Sequence, residues 1–274
     1  MSVDPEQLPG KARKGPRSYR MSIKGIIFDV NGTLIDIHTN EWHDDVYRVI
    51  SNLLSYQGVL LDPHVIKNLY FRQIEEQRAA SAERHSEFDV AGVFREIVAQ
   101  HSTGFTSALH PDKRELLPEF LAEVHRAASR FRLQLYPGVE ETLQHLRTRY
   151  ALAVVSDAQS AYAVPELNAV GLFRFFDPVI VSGDFGYRKP DQRLFQAALS
   201  RMELQPAEVL FVGNDLYRDV IGPQSAGMKT VFFRSSDMAQ EQESATPDYI
   251  IYSFPELLNA VRYFEDRERT QEVR

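Results

Sequence analysis

The stretch Ile26-Ile27-Phe28-Asp29-Val30-Asn31-Gly32-Thr33-Leu34 decides how this chain folds. Its first three residues predict a buried β-strand, and Asn31-Gly32 predicts a tight turn directly after it. Asp29 therefore stands at the exit of a buried strand, where a carboxylate can attack phosphorus or carbon if positive charge offsets its own. The plainer interpretation is an Asx turn that closes the strand.

Short apolar runs alternate with helical patterns after residue 136. Each run is apolar on both sides, which is typical of a parallel sheet covered by helices on both faces. We therefore predict an α/β fold with a three-layer, Rossmann-like parallel sheet, whose ligands bind beyond the carboxyl ends of the strands. Strands are expected at 151–155, 179–181, 209–212, 230–233 and 249–251, and the first helix among them at 139–150.

Helical spacing replaces the strand pattern between about residues 41 and 131 and predicts an inserted bundle of four or five helices. The clearest apolar sets are Val46, Val49, Ile50, Leu53 and Leu54, and then Leu116, Leu117, Phe120, Leu121 and Val124. The expected division is a core of 21–37 and 136–266 with an all-helical cap of 38–135. A disordered basic tail is expected at 1–20 and a flexible C-terminus at 267–274.

Composition limits the function classes further. The chain has 274 residues, 43% of them hydrophobic, no cysteine and a formal net charge of -7. The missing cysteines exclude thiolate chemistry and disulfides and fit a cytoplasmic protein. The negative charge argues against nucleic acid as a partner, and no apolar run is long enough for a membrane span. We expect a monomer or homodimer.

Three further motifs place polar residues at the ends of predicted elements. Ser156-Asp157 closes the strand at 151–155, and Arg188-Lys189-Pro190 leads into a helix. Gly213-Asn214-Asp215, with Asp219 four residues on, follows the strand at 209–212. Taken singly, these residues are ordinary turn formers and helix caps. However, carboxylates crowded at one strand end need a cation, and a lysine at a helix start favours an anionic partner.

In this order, the four motifs resemble the signatures of the haloacid dehalogenase (HAD) superfamily, in its phosphatase-type branch with a helical cap. The resemblance extends from Ile23 to Met228. It implies a hydrolase in which Asp29 attacks phosphorus and Lys189 balances the charge. It further implies a substrate bound by Thr33, Ser156, Asp157 and, more weakly, Arg188. It also implies Mg²⁺ held by Asp29, the backbone carbonyl of Asn31 and either Asn214 or Asp215, with Asp219 in support.

Asn31 departs from the usual first signature, because the chain reads D-x-N-G-T where the family usually has D-x-D-G-T. In phosphatases of the family, the second aspartate protonates the leaving group and later deprotonates water. Asparagine cannot transfer a proton, and such catalysis contributes about 10² to 10⁴ in rate. We expect Mg²⁺-dependent hydrolysis of a small phosphorylated metabolite, slow or selective for activated leaving groups. Asn31→Asp is then predicted to raise turnover on poor leaving groups at least ~10-fold.

Two other interpretations stay open on the same scaffold. One is dehalogenation or phosphonate cleavage, although dehalogenases of the family work without Mg²⁺ and read Ser-Asn where this chain has Ser156-Asp157. The other is a catalytically weakened binding or regulatory protein. The cap is expected to act as a lid that selects the substrate, with Arg72, Arg78, Arg84 and His85 as candidate contacts. The substrate itself stays open.

Overall fold

The computed structural model describes residues 22–235 and 245–271, with side chains up to residue 266. The predicted tail at 1–20 and residues 272–274 lie outside the described residues. The described chain forms eight strands: β1 (Gly25–Phe28), β2 (Ile35–Thr39), β3 (Arg130–Leu135), β4 (Ala151–Ser156), β5 (Val179–Val181), β6 (Val209–Gly213), β7 (Lys229–Phe233) and β8 (Tyr249–Ile251).

Six of these strands form one parallel sheet in the order β5-β4-β1-β6-β7-β8. Phe28 at the end of β1 pairs with Val154 on one side and Val212 on the other. The carboxyl ends of the three central strands are therefore level, which brings the residues that follow them to one edge. This confirms the predicted fold class.

Ten α-helices complete the described chain. Five lie in the insert: α1 (Asp44–Ser55), α2 (Pro63–Ala80), α3 (Val90–Gln100), the single turn α4 (Gly104–Ser107) and α5 (Pro111–Ser129). Five follow it: α6 (Val139–Leu146), α7 (Ser160–Ala169), α8 (Gln192–Met202), α9 (Gly222–Ser225) and α10 (Leu257–Gln271). α6 begins at the predicted residue 139 but ends at Leu146, four residues before the predicted end at 150. α10 continues to Gln271 and so enters the segment 267–274 that was predicted to be flexible.

Alternate residues of β1 enter different apolar clusters, as the two-residue period of a strand requires. Phe28 packs with Leu143 of α6 and Val261 of α10 on one face. Ile27 packs on the other face with Phe195 of α8. The sheet is thus the middle of three layers.

The cap helices bury a separate apolar cluster, and its inward faces differ partly from the predicted ones. Val49, Leu116 and Phe120 are exposed although the spacing placed them inside. In α5 the buried face runs through Ala122 and His125 instead, because this side of the helix packs on α3.

An antiparallel ribbon of β2 and β3 connects the sheet to the cap helices. Ile35 pairs with Leu135 near the sheet, and the register shifts between His38 and Thr39. The sequence analysis did not predict this ribbon. β2 crosses the predicted boundary at 37/38, whereas β3 ends at the predicted boundary at 135/136. Those boundaries stay predictions. Within the described residues, no helix combines the length and apolar composition needed to cross a bilayer.

Candidate active site

A tight turn holds Asp29 at the centre of the sheet edge. The Asp29 N–H donates to Val212 O at 2.9 Å, and the Gly32 N–H donates to Ile35 O at 2.8 Å. Gly32 has a φ of +82°, and a Cβ at this position would clash with the side-chain amide of Asn214. Glycine is therefore required both by the left-handed backbone and by the close approach of Asn214.

Lys189 joins two carboxylates beneath this turn. Its Nζ lies 2.7 Å from Asp29 Oδ1 and 2.7 Å from Asp219 Oδ1, and its side chain is only 2% exposed. Burial opposes the charged form, but the carboxylates of Asp219 and Asp29 raise the pKa of Lys189 above its usual value. The lysine is therefore an ammonium ion in this site, with its charge directed at Asp29.

Asp219 is the most deeply buried carboxylate of the site. Its Oδ2 accepts the backbone N–H groups of Asn214 and Asp215, both at 3.1 Å. Burial raises its pKa to about 7, although the Lys189 ammonium opposes this shift. The alternative role of helix cap belongs to Asp215, which precedes the π-helical segment Leu216–Ile221.

The two residues predicted as alternative metal ligands have different partners. Asp215 is bonded to Arg218 through both oxygens: Oδ1 accepts the Arg218 N–H at 2.7 Å, and Oδ2 pairs with the guanidinium. Burial opposes ionisation of Asp215, but these bonds lower its pKa below the usual value. By contrast, Asn214 Oδ1 lies 3.2 Å from the Thr33 hydroxyl, whose oxygen is 3.1 Å from Asp29 Oδ2. The amide oxygen of Asn214 and the carboxylate of Asp29 therefore share one neighbour, the Thr33 hydroxyl, whereas both carboxylate oxygens of Asp215 are occupied by Arg218.

The donor set suits a hard cation that keeps water ligands. No three His, Cys, Asp or Glu side chains come together as a metal cage within residues 22–235 and 245–271. Mg²⁺ in phosphoryl-transfer sites is typically held by one or two carboxylates together with water and substrate oxygens. Asp29 Oδ2 and Asn214 Oδ1, which meet at Thr33, provide one carboxylate and one amide oxygen of this type.

The residues predicted to bind the substrate differ in whether their polar groups already have hydrogen-bond partners within the protein. The Thr33 hydroxyl is occupied by Asp29 and Asn214, so its place in the structure is that of a positioning group. The hydroxyl of Ser156 is buried without a hydrogen-bond partner among the described residues. The backbone N–H of Arg188 donates to His85 O at 2.9 Å, which joins this core segment to the cap.

A cap loop, residues 83–89, lies on the core segment 182–189. Glu87 Oε2 accepts the Ser182 hydroxyl at 2.7 Å, and Gln159 Nε2 donates to Phe88 O at 2.7 Å. Burial raises the pKa of Glu87, against the hydrogen bond from Ser182. The sequence analysis missed Gln159 and Glu87 because neither stands in a motif. The signal was the break in helical spacing between α2 and α3, where a polar loop interrupts an apolar bundle.

The predicted cap contacts are only partly brought to the core. His85 lies in this loop, with Nε2 3.5 Å from the Tyr217 hydroxyl. Arg72 pairs instead with Glu76 on its own helix, and Arg78 lies over the ring of Phe88. These two arginines therefore have their contacts within the cap.

The haloacid dehalogenase-like hydrolase family matches residues 23–227 of this chain. The chain belongs to this family and is a hydrolase. It is similar to the glyceraldehyde 3-phosphate phosphatase of Pyrococcus furiosus, with 27% identity over 87% of this chain and 93% of the relative. It is also similar to the phosphoserine phosphatase of Thermus thermophilus, with 33% identity over 58% of this chain and 61% of the relative.

Solved structures show the same fold. A 2-haloacid dehalogenase from Pseudomonas syringae superposes with a TM-score of 0.65 at 20% identity, covering 88% of this chain and 99% of that one. A HAD phosphatase from Thermococcus onnurineus gives a TM-score of 0.57 at 25% identity over 87% and 98%. The first likeness shows the fold alone.

Proposed function

We propose that this hydrolase removes the phosphate group from a small phosphorylated metabolite through a covalent aspartyl-phosphate on Asp29. The supporting observation is the line of Asp29, Lys189 and Asp219, in which one buried ammonium bridges two carboxylates. A nucleophilic carboxylate needs positive charge beside it when a phosphate dianion approaches. Lys189 provides that charge in a fixed place. The similarity to proteins named as phosphatases also supports phosphate as the group that is removed.

Mg²⁺ is the proposed cofactor. The candidate ligands are the Asp29 carboxylate, the backbone carbonyl of Asn31 and the amide oxygen of Asn214. A bound Mg²⁺ would offset the charge of a phosphoryl group at an edge that carries more carboxylates than cations. Asp215 is the less suitable alternative, because Arg218 already holds both of its oxygens.

The other residues position these groups. The Thr33 hydroxyl lies between Asp29 Oδ2 and Asn214 Oδ1. It thereby positions the carboxylate oxygen of Asp29 that does not contact Lys189. Asp219 holds the far side of Lys189 and thereby directs its ammonium group. The Ser156 hydroxyl, buried and unpartnered, is a proposed hydrogen-bond donor to a phosphoryl oxygen.

Phosphate release from a substrate panel tests this function. Glyceraldehyde 3-phosphate, phosphoserine and an aryl phosphate would be assayed with the purified chain, with Mg²⁺ or with a chelator, beside chloride release from a 2-chloroacid. We expect Mg²⁺-dependent phosphate release that Asp29→Asn abolishes. Asp45→Asn, the same change on the exposed start of α1, is the control variant.

The covalent step has its own measurement. Acid quenching after mixing with ³²P-labelled substrate should leave label on Asp29, identified by mass spectrometry of the peptides. Chloride release without metal would instead support dehalogenation. Phosphate release that persists in Asp29→Asn would contradict the proposed nucleophile.

A further inference from the structure

Three buried polar atoms at the carboxyl ends of β1 and β4 have no hydrogen-bond partner among the described residues. They are Asn31 Oδ1, Ser156 Oγ and Asp157 Oδ2. The strands are parallel neighbours in level register, so these atoms belong to the same edge of the sheet as Asp29. A buried polar atom without a hydrogen-bond partner has lost its bonds to water and gained none in return, which is unfavourable. Such a group of unpaired atoms therefore indicates where the polar atoms of a substrate are received.

Asp157 is the acidic member of this group. Its Oδ1 accepts a hydrogen bond from the backbone N–H of Lys189 at 2.9 Å. Its Oδ2 lies 3.7 Å from Arg218 Nη1 and forms no hydrogen bond. The side chain is only 8% exposed. An ionised oxygen in this position would repel a phosphate ester, whereas a protonated carboxyl would donate a hydrogen bond to it.

The other carboxylates near Lys189 are already occupied. Asp219 divides its oxygens between the Lys189 ammonium and two backbone N–H groups. Asp215 gives both oxygens to Arg218. Of Asp157, Asp215 and Asp219, Asp157 is therefore the residue that keeps a buried oxygen without a hydrogen bond.

We propose that Asp157 is the acid–base group of this site and transfers the protons that Asn31 cannot. This inference rests on the proposed phosphatase function. In this chain an amide stands two residues after the nucleophile, and a carboxyl stands directly after Ser156. Ordinary turnover then needs no acid at position 31.

The proposed steps conserve protons and bonds. In the first half, an Asp29 oxygen bonds to phosphorus while the bond from phosphorus to the leaving oxygen breaks, and the Asp157 proton passes to that oxygen. In the second half, water bonds to phosphorus and gives a proton to the Asp157 carboxylate. The bond between phosphorus and the Asp29 oxygen then breaks and phosphate leaves. Asp29 is again a carboxylate, and Asp157 is again a protonated acid.

The charges that face Asp157 come from four parts of the chain. Burial raises its pKa, the Lys189 ammonium and Arg218 oppose this shift, and Asp29 adds to it. Glu87 of the cap loop is a further negative neighbour. The neutral acid is therefore more populated near neutral pH than it is for an exposed aspartate.

The test compares Asp157→Asn with the wild-type chain on an alkyl and an aryl phosphate. Asparagine keeps an oxygen for the Lys189 N–H but cannot transfer a proton. For the alkyl ester we expect kcat/KM to fall by about 10² to 10⁴ and the alkaline decline of its pH profile to disappear. For the aryl ester, whose leaving group needs no acid, we expect a burst of phenol equal to the enzyme concentration and then slow turnover.

A second substitution provides a rescue. Asn31→Asp should restore at least ~10-fold of the alkyl phosphate activity in the Asp157→Asn background. In the wild-type background it should change the activity much less than the ~10-fold gain expected from the sequence alone, because Asp157 already transfers the proton. Asp184→Asn, an exposed aspartate of the neighbouring segment, is the control for the substitution.

Two results would overturn the inference alone. One is an Asp157→Asn kcat/KM within about threefold of wild type on the alkyl ester. The other is an equal loss on both esters without a burst, which indicates a merely structural role. A wild-type chain that hydrolyses neither ester, or an Asp29→Asn variant that stays active, would instead contradict the proposed function and remove the basis of this inference.

Discussion

Acidification should destabilise the cap bundle through His125. This side chain is fully buried, its ring stacks on Tyr70 with centroids 4.3 Å apart, and its Nδ1 has no hydrogen-bond partner among the described residues. Burial lowers the pKa of His125 from 6.5 to about 3, and the neighbouring Arg126 adds to this shift. The folded cap therefore holds a neutral imidazole.

The sign of the effect follows from proton binding. The folded pKa lies below the unfolded one, so as pH falls from about 6.5 towards 3 the unfolded chain takes up a proton that the folded chain does not. The free energy of unfolding then decreases by up to about 1.4 kcal/mol per pH unit. At pH 5 the contribution of His125 amounts to a loss of about 2 kcal/mol relative to pH 7.5.

Urea unfolding at pH 7.5, 6 and 5 measures this loss, followed by the fluorescence of Trp42 in the cap. His125→Leu replaces the imidazole with an apolar side chain of similar size. We expect this variant to lose about 2 kcal/mol less than the wild type between pH 7.5 and 5. His64→Leu, the same change on the exposed side of α2, is the control. Parallel pH dependence in His125→Leu and wild type would refute the reasoning.

Three further predictions concern the site and its lid. Lys189→Met leaves Asp29 and Asp219 buried without their counter-ion, so unfolding in urea at pH 7 should require about 3–5 kcal/mol less; a smaller loss than 1 kcal/mol would contradict the ion-pair geometry. Gly32→Ala should destabilise the chain more than Gly171→Ala, because both glycines have a positive φ but only Gly32 faces a neighbouring side chain; equal changes in melting temperature would show that the Asn214 contact is unimportant. Gln159→Leu removes the partners of Phe88 O and Val90 N, so amide hydrogen exchange at 83–90 should accelerate. Asn168→Leu on the exposed side of α7, the helix that follows Gln159, should leave this exchange unchanged.

The sheet was predictable because each of its strands carries a local signal. The run at 249–251 matches β8, and those at 151–155 and 209–212 each fall one residue short of β4 and β6. β6 is buried throughout and β4 from Leu152 onward, so their runs are apolar up to 212 and 155 and end at the first residue that is not, Gly213 or Ser156. The β2–β3 ribbon was not predictable in this way, because His38, Arg132 and Gln134 interrupt its apolar pattern and its pairing joins residues far apart in sequence.

The residues of the candidate site were predictable by position but not by partner. Motif order brings Asp29, Lys189 and Asp219 to one sheet edge, and the structure places them in contact. Their hydrogen bonds depend on side-chain directions that no periodicity encodes. The choice between Asn214 and Asp215 is an example, because it turns on whether Arg218 reaches back to the residue three positions before it.

The cap loop and Lys189 are linked through one continuous segment. Ser182 at its start bonds to Glu87, Tyr187 forms a β-bridge with Ser86, and the next two residues are Arg188 and Lys189. The backbone of Lys189 is then fixed by Asp157. A segment held by the cap on one side and by Asp157 on the other has little freedom to displace its lysine. We therefore expect closure of the cap to fix the ammonium group against Asp29 at the moment when water is excluded, which is when a low local dielectric makes its charge most effective.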